Sequence, residues 1–252
     1  MKHALLALPL LLGSCASYDP ILVVAHRGST LHDLENSVAA FRTAKQEGAD
    51  GVEFDVSVTK DGVNVVVHDE TLDRTTTCTG AVRDRTLAEL AGCTLTNGEP
   101  LRTLEDMLKQ IGPDFSIIFV EIKVWDDRSV AQTDDAIEQV LRSGYASKIV
   151  ISGYDTTSDL RLAERKDDGF QAGWDARTEE SISEAQKNGS KWALFPLEAM
   201  GPRAGDIARS AGKEACVYVV NSRAEFVAAY DAGVRVMMTD SVPLLKAAAA
   251  GN

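Results

Sequence analysis

Short apolar runs recur along the chain at 21–25, 51–57, 116–123, 148–152, 170–174, 192–197, 215–220 and 235–239. Each is rich in β-branched and aromatic residues and bounded by polar or glycine-containing segments, the pattern of buried strands. Between most of them apolar positions follow a helical period, in SVAAFRTAKQEG (37–48), TLEDMLKQIG (103–112), DDAIEQVLRSGY (134–145), DLRLAERKDD (159–168), SISEAQKNG (181–189), GDIARSAG (205–212) and AEFVAAYDAG (224–233). Several of these stretches end in glycine, which suits the left-handed residue that closes a helix. Eight strands with intervening helices predict a (β/α)8 TIM barrel, although a doubly wound open sheet would give a similar pattern. The rhythm breaks between about 58 and 102, which contains VNVVVHDETLDRTTTCTG (63–80) and an apolar piece around Leu87 to Leu90. An enlarged loop follows the second strand, with an insertion at about 69–100 and a small β-hairpin. No low-complexity linker follows Pro20, so residues 21–252 are read as one domain.

Composition narrows the functional classes. At 252 residues, 44% hydrophobic and 25% charged, the chain has the usual length of one barrel and ample material for a core. Its formal charge of −12 has the wrong sign for a sequence-independent grip on nucleic acid or anionic lipid. Any phosphate must therefore be held by a local cluster. The N-terminus, MKHALLALPLLLGSC, places Lys2 before an apolar run from Ala4 to Leu12, too short to cross a bilayer, and residues 1–14 read as a secretory signal peptide. Leu12-Gly13-Ser14-Cys15 resembles the lipobox of bacterial lipoproteins, in which the cysteine becomes a lipid-modified N-terminus; the alternative is a plain signal peptide cut near Ala16. Either predicts export to the periplasm or cell envelope, with membrane attachment only through a lipid anchor at Cys15. Export would allow Cys78 and Cys93 to pair, but bridging needs Cα atoms within ~7 Å. Sequence gives no such distance, and the expectation carried forward is free thiols at Cys78, Cys93 and Cys216.

The chemistry-bearing residues sit at the ends of the runs. In a parallel architecture, functional groups gather at the carboxyl ends of the strands. The first run ends in His26-Arg27, and Gly28 lets the chain turn there. The second, GVEFDVSV, carries Glu53 and Asp55 two residues apart, so both project from one face. The third, SIIFVEIK, repeats the device with Glu121 and Lys123. Three carboxylates converging on one mouth would repel one another, and a hard divalent cation such as Ca²⁺ or Mg²⁺ is the natural compensation. A buried salt-bridge network with Arg27 and Lys123 is the alternative, and a metal-bound phosphate site would contain both kinds of group. VVVHDE ends in His68-Asp69 in the same manner as VVAHRG. His32, in a polar loop, is read as solvent-exposed.

The ordered set AHRG, Glu35-Asn36, GVEFDVSVTKDGVNVVVHDETLDRTTTCTG, EIK and YVVN…AGVRVMMTDSVPLL resembles the glycerophosphodiester phosphodiesterase family over about residues 21–245. That resemblance implies a (β/α)8 barrel that hydrolyses glycerophosphodiesters to sn-glycerol 3-phosphate and an alcohol, using one divalent cation, Ca²⁺, Mg²⁺ or Mn²⁺. By matching motif, His26 and His68 become the acid/base pair, Arg27 and Lys123 phosphate contacts, and Glu53, Asp55 and Glu121 metal ligands. Glu35 and Tyr218 are candidates for the substrate pocket, while Asn36 and Ser37 double as candidates to cap the next helix. The chain departs from the family in having Tyr218 where tryptophan is common and in a loop at 69–100 that looks short for the family's insertion. The resemblance leaves open whether the neighbouring glycerol hydroxyl or water attacks the phosphorus.

Physical chemistry agrees with the assignment. A phosphodiester gains negative charge toward its transition state, which a dication, a guanidinium and an ammonium stabilise selectively. The alcohol needs a proton as it leaves and the nucleophile must lose one, the work of two imidazoles near neutral pH. A glycoside hydrolase would use paired carboxylates but gives no reason for Arg27, Lys123 and two histidines. The remaining alternatives are a phosphodiesterase acting on phospholipids or lysophospholipids, and a non-catalytic phosphodiester-binding lipoprotein.

Overall fold

A computed structural model describes residues 18–177, 181 and 187–251. The signal segment and most of the predicted helix at 181–189 lie outside the described residues.

The apolar runs form strands β1 (Leu22–His26), β2 (Gly51–Val58), β4 (Ile117–Ile122), β5 (Ile149–Gly153), β6 (Gln171–Asp175), β7 (Trp192–Pro196), β8 (Glu214–Tyr218) and β9 (Val236–Thr239). All eight pair in parallel, in the order β1-β9-β8-β7-β6-β5-β4-β2, and β1 pairs with β2 to close the barrel. A closed sheet excludes the open doubly wound alternative. A two-residue strand, β3 (Asn64–Val65), adds to β2 in antiparallel fashion.

The described helices are α1 (Val38–Gln46), α2 (Leu104–Ile111), α3 (Ser129–Ser143), α4 (Thr156–Glu164), α5 (Ala204–Ser210), α6 (Arg223–Asp231) and α7 (Val242–Ala249). Ser37, Thr103, Asp155 and Ser222 each cap a helix N-terminus by accepting from the amide three residues on. α3 starts five residues before the predicted stretch, because Ser129–Thr133 (SVAQT) buries its polar Gln132 and Thr133 while Val130 is exposed, which masks the helical period. α7 escaped the pattern altogether. Its sequence, VPLLKAAA, carries no polar face from which a period could be read.

Strand alternation sorts the core into two parts. Residues such as Phe54, Val120 and Ile151 point outward to meet the helices, whereas Val24, Phe119, Trp192, Leu194, Cys216 and Met238 fill the barrel interior. The Phe119 and Trp192 rings pack edge to face, 5.3 Å between centroids. This plug closes the amino-terminal part of the barrel and leaves the inward positions at the carboxyl ends for polar groups.

The connection from β2 to α2 builds a satellite core from Val65, Val67, Leu72, Val82, Leu90 and Cys93. Contrary to the expectation of free thiols, Cys78 and Cys93 form a disulfide with Cα atoms 5.7 Å apart. The reason is local pairing. Thr76 bridges Leu95, and Thr77 N–H donates to Thr94 O at 2.8 Å, so the two cysteine-bearing segments run side by side. Cys216 is free and buried in the barrel.

Candidate active site

The register of β1, β2 and β4 decides what meets at the barrel mouth. His26 pairs with Glu53, and Asp55 pairs with Glu121, so these groups stand on adjacent strands and the same inward face. Ligand oxygens of Glu53, Asp55 and Glu121 lie within 4.8 Å of one another. Asp55 is fully buried and Glu53 nearly so.

Backbone conformation at the end of β1 sets the second group. Arg27 takes a left-handed φ of 56°, a strained state for a residue with a Cβ, while its N–H donates to Glu53 O at 2.9 Å. Gly28 follows at φ 90°, and a Cβ there would lie 2.6 Å from Ala40 Cβ. Glycine is thus required both by conformation and by the closeness of α1. The turn swings the Arg27 guanidinium back over β2, with Nε 3.2 Å from Asp55 Oδ2 and an NH1 donor 3.3 Å from Glu35 Oε1. Lys123 approaches from β4, its Nζ 2.8 Å from Glu121 Oε2 and 3.4 Å from Asp55 Oδ1. Asn36, also at positive φ, does not cap α1 but donates from Nδ2 to Asp55 Oδ2 at 3.1 Å; Ser37 is the cap.

Both imidazoles are anchored at Nδ1 by a carboxylate. His26 Nδ1 lies 2.8 Å from Asp240 Oδ1, and His68 Nδ1 lies 2.7 Å from Asp69 Oδ1. A carboxylate accepts only, so Nδ1 carries the proton and Nε2 is left to exchange one. Asp240 is held in turn by Asn221, whose Nδ2 donates to Oδ2 at 2.7 Å. His26 Nε2 faces Glu53 Oε2 at 3.9 Å.

Burial and charge separate the titrations. Burial and the neighbouring Asp55 charge push Glu53 up to about 8. Asp55 is equally buried, yet Lys123 and Arg27 hold its carboxyl below the ordinary value. Burial works to lower the His26 pKa, but Asp240 and Glu53 outweigh it and the net shift is upward. Burial also dominates at His68, and with Arg27 and Lys123 adding to it the net shift is downward.

A cavity of about 570 Å³ opens over these groups, lined among others by His26, Arg27, Glu53, Glu121, Lys123 and Tyr218. Tyr218 donates its hydroxyl to Asp175 Oδ1 at 2.7 Å, and Asp175 also receives Arg177 Nε at 2.8 Å. His68 and Glu35 are not among the lining residues. Glu35 is instead engaged by two arginines, Arg27 and Arg74. His32, as expected, is exposed, 3.6 Å from Glu47.

The sequence reading missed Asp240, Asp175 and Arg74, and it gave Asn36 only as a cap candidate and not as a partner of Asp55. Asp240 and Asp175 stand at strand ends, in MMTD and QAGWD, by the same signal that revealed His26. Nothing in the polar stretch DRTTT distinguishes Arg74.

Fold and site together define a (β/α)8 barrel with an acidic cluster, two cationic side chains and two carboxylate-anchored imidazoles at the carboxyl ends of its strands. Residues 26–244 match the Glycerophosphoryl diester phosphodiesterase family, and the chain belongs to that family. A glycerophosphodiester phosphodiesterase of Caldanaerobacter subterraneus subsp. tengcongensis is 38% identical over 140 residues, 53% of this chain and 58% of that protein. One from Bacillus subtilis is 46% identical over 78 residues, 31% of this chain and 27% of that protein. The matched stretches thus span little more than half, or about a quarter, of these relatives' lengths. The glycerophosphodiester phosphodiesterase structure from Thermotoga maritima superposes with a TM-score of 0.74 at 28% identity, covering 91% of this chain and 99% of that one. An Oleispira antarctica phosphodiesterase in complex with the product sn-glycerol-3-phosphate gives a TM-score of 0.80 at 20% identity, covering 90% and 96%, a likeness of fold.

Proposed function

We propose that the protein hydrolyses glycerophosphodiesters to sn-glycerol 3-phosphate and an alcohol. The observation that carries this reading is the cluster of three carboxylates at the floor of one cavity, which Glu53 and Glu121 line together with a guanidinium, an ammonium and an anchored imidazole.

The donor set fits a divalent cation. Glu53, Asp55 and Glu121 offer only hard oxygens, and Asp55 Oδ1 is buried with no hydrogen-bond partner. These three residues would hold the ion, which when bound supplies Lewis-acid stabilisation of charge growing on the phosphoryl oxygens. Arg27 and Lys123 would hold the non-bridging oxygens and stabilise the same growth of charge. His26, whose pKa is raised by burial-defying contact with Asp240, holds a proton at Nε2 for the leaving alcohol. His68, with its lowered pKa, receives the proton of the attacking group, either water or the neighbouring glycerol hydroxyl, in which case water opens the resulting cyclic phosphate in a second step. Two like groups with pKa values driven apart by their surroundings is the arrangement acid–base catalysis requires. Tyr218 and Asp175 form the hydroxyl-bearing wall that would face the glycerol or alcohol portion.

Incubation with glycerophosphocholine, -ethanolamine, -glycerol and -inositol and Ca²⁺, Mg²⁺ or Mn²⁺ tests the reading. Release of sn-glycerol 3-phosphate, abolished by chelator and restored by cation, is expected; no release from any diester with any cation would refute it.

We also infer that the protein is exported and lipid-anchored at Cys15. The lipobox-like segment and the Cys78–Cys93 disulfide, a bond characteristic of oxidising compartments, support this. Cys15→Ser should move the protein from the membrane to the soluble fraction; wild type recovered wholly soluble would overturn the anchor.

A further inference from the structure

Arg74 lies outside the cavity lining and its side chain is about half exposed, at 49%. Its guanidinium nevertheless engages two carboxylates at once. Nε and NH2 donate to Asp69 Oδ2 and Oδ1 at 2.6 and 2.9 Å, while NH1 and NH2 donate to Glu35 Oε2 and Oε1 at 2.7 and 2.8 Å. Each carboxylate is in turn the partner of a group in the site. Asp69 Oδ1 anchors His68 Nδ1 at 2.7 Å, and Glu35 Oε1 accepts from Arg27 NH1 at 3.3 Å. The resulting line His68–Asp69–Arg74–Glu35–Arg27 joins the loop after β1 to the loop after β3.

We propose that Arg74 is a positioning residue that fixes the orientation of His68 through Asp69 and of Arg27 through Glu35. The inference rests on the proposed hydrolytic reading for what those two residues then do. Three features support it. A planar fork with five donors can satisfy two carboxylates in fixed relative orientation, which an ammonium cannot. The backbone that carries Arg74 is itself held: Leu72 is fully buried in the satellite core, and its carbonyl accepts from Thr76 N–H at 3.1 Å and Thr76 Oγ1 at 2.8 Å. Finally, the line of bonds ends on two groups of the site, His68 and Arg27, and not on the apolar core.

Arg74→Gln and Arg74→Lys test this. Arg74→Lys keeps charge and stem and guards against a folding failure of the first. Both should keep the wild-type circular dichroism and melt within a few degrees of wild type. Turnover of glycerophosphocholine should fall by about 10–100-fold in kcat, the scale of a misplaced reacting group, and the lysine variant should not rescue it. Histidine NMR gives a readout that needs no turnover. Removing the guanidinium in Arg74→Gln leaves Asp69 and Glu35 uncompensated near His68, so its titration should move to higher pH, and the acid limb of kcat/KM should move with it. Unchanged His68 titration in Arg74→Gln would overturn the proposal whether or not the wild type turns over. A wild type inactive on every diester, with the titration still displaced in Arg74→Gln, would overturn the hydrolytic reading and leave the positioning role standing.

Discussion

Replacing Glu53 with glutamine should make the cation-free protein more stable at pH 8. Burial and the charge of Asp55 raise Glu53 from 4.5 to about 8. Between those values the folded chain holds a proton that the unfolded chain has released. Unfolding therefore releases a proton, and stability falls as pH rises from about 4.5 to about 8, then levels off. At about 1.36 kcal/mol per pH unit, the rise from 4.5 to about 8 corresponds to a penalty on the order of 5 kcal/mol, of which about half accrues between pH 6 and 8. For a chain of this size that is a loss of roughly 5–10 °C in Tm. A cation bound by the three carboxylates displaces the proton, so its apparent affinity should rise by up to about tenfold per pH unit over the same window. Thermal unfolding at pH 6 and 8, with chelator and with CaCl₂, reads all of this. In chelator the wild type should melt lower at pH 8 than at pH 6, and Ca²⁺ should raise its Tm more at pH 8. Glu53→Gln, whose amide oxygen can still accept from Arg27 N–H at the 3.2 Å contact, should show both responses reduced, since burial also raises Glu121 and Asp159 and these keep part of the pH dependence, and should match or exceed wild type in chelator at pH 8. A variant less stable than wild type under those conditions, with its Ca²⁺ response intact, would refute the reasoning.

Three further outcomes follow from the same geometry. His26→Ala and His68→Ala should each lower kcat by about 10²–10⁴-fold on a natural diester, but with a p-nitrophenyl leaving group the His26 loss should shrink while the His68 loss persists, as steady-state kinetics would show. Gly28→Ala forces a Cβ to 2.6 Å from Ala40 Cβ at φ 90° and should destabilise by about 2–4 kcal/mol in urea unfolding. Cys78→Ser/Cys93→Ser opens a loop of sequence separation 15 and should cost about 3 kcal/mol, with limited proteolysis first cutting within 69–100.

What was legible in the sequence was whatever a short-range period encodes. Glu53 and Asp55 two residues apart in an apolar run can only share a face, and in a parallel barrel that face is the mouth. His26, at the end of β1, was visible as an abrupt change from aliphatic to ionisable residues. The same signal was present at Asp240 and Asp175 and went unread, because a single carboxylate after a strand is common. What the sequence could not show is long-range pairing. Asp240 meets His26 across a separation of 214 residues, Arg74 meets Glu35 across 39, and both depend on barrel closure and on the folding of the insertion. The disulfide belongs to the same class, since Cys78 and Cys93 are aligned by the Thr76–Leu95 bridge and not by their spacing. α7 was lost for the opposite reason, an excess of apolar residues with no period.

The two compensations considered for the carboxylates, a salt-bridge network and a dication, divide the cluster between them. Lys123 lies within ion-pair distance of both Glu121 and Asp55, and Arg27 reaches Asp55. Glu53 has no lysine or arginine side chain within ion-pair distance among the described residues; it meets only the His26 ring at 3.9 Å and the Arg27 amide at 3.2 Å. The protein's own cations thus balance two of three negative charges, and the third is left in a buried position where burial and the neighbouring Asp55 charge oppose its ionisation. On the proposed reading, a bound dication would turn that net deficit into a net positive charge, and a phosphodiester monoanion between Arg27 and Lys123 would meet a site able to hold it and to stabilise the charge it gains in the transition state. A network intended only to neutralise buried carboxylates would have placed its third cation at Glu53. The chain places an imidazole there instead, one that Asp240 orients through Nδ1, and on the proposed reading its free Nε2 is the atom that hands a proton to the departing alcohol.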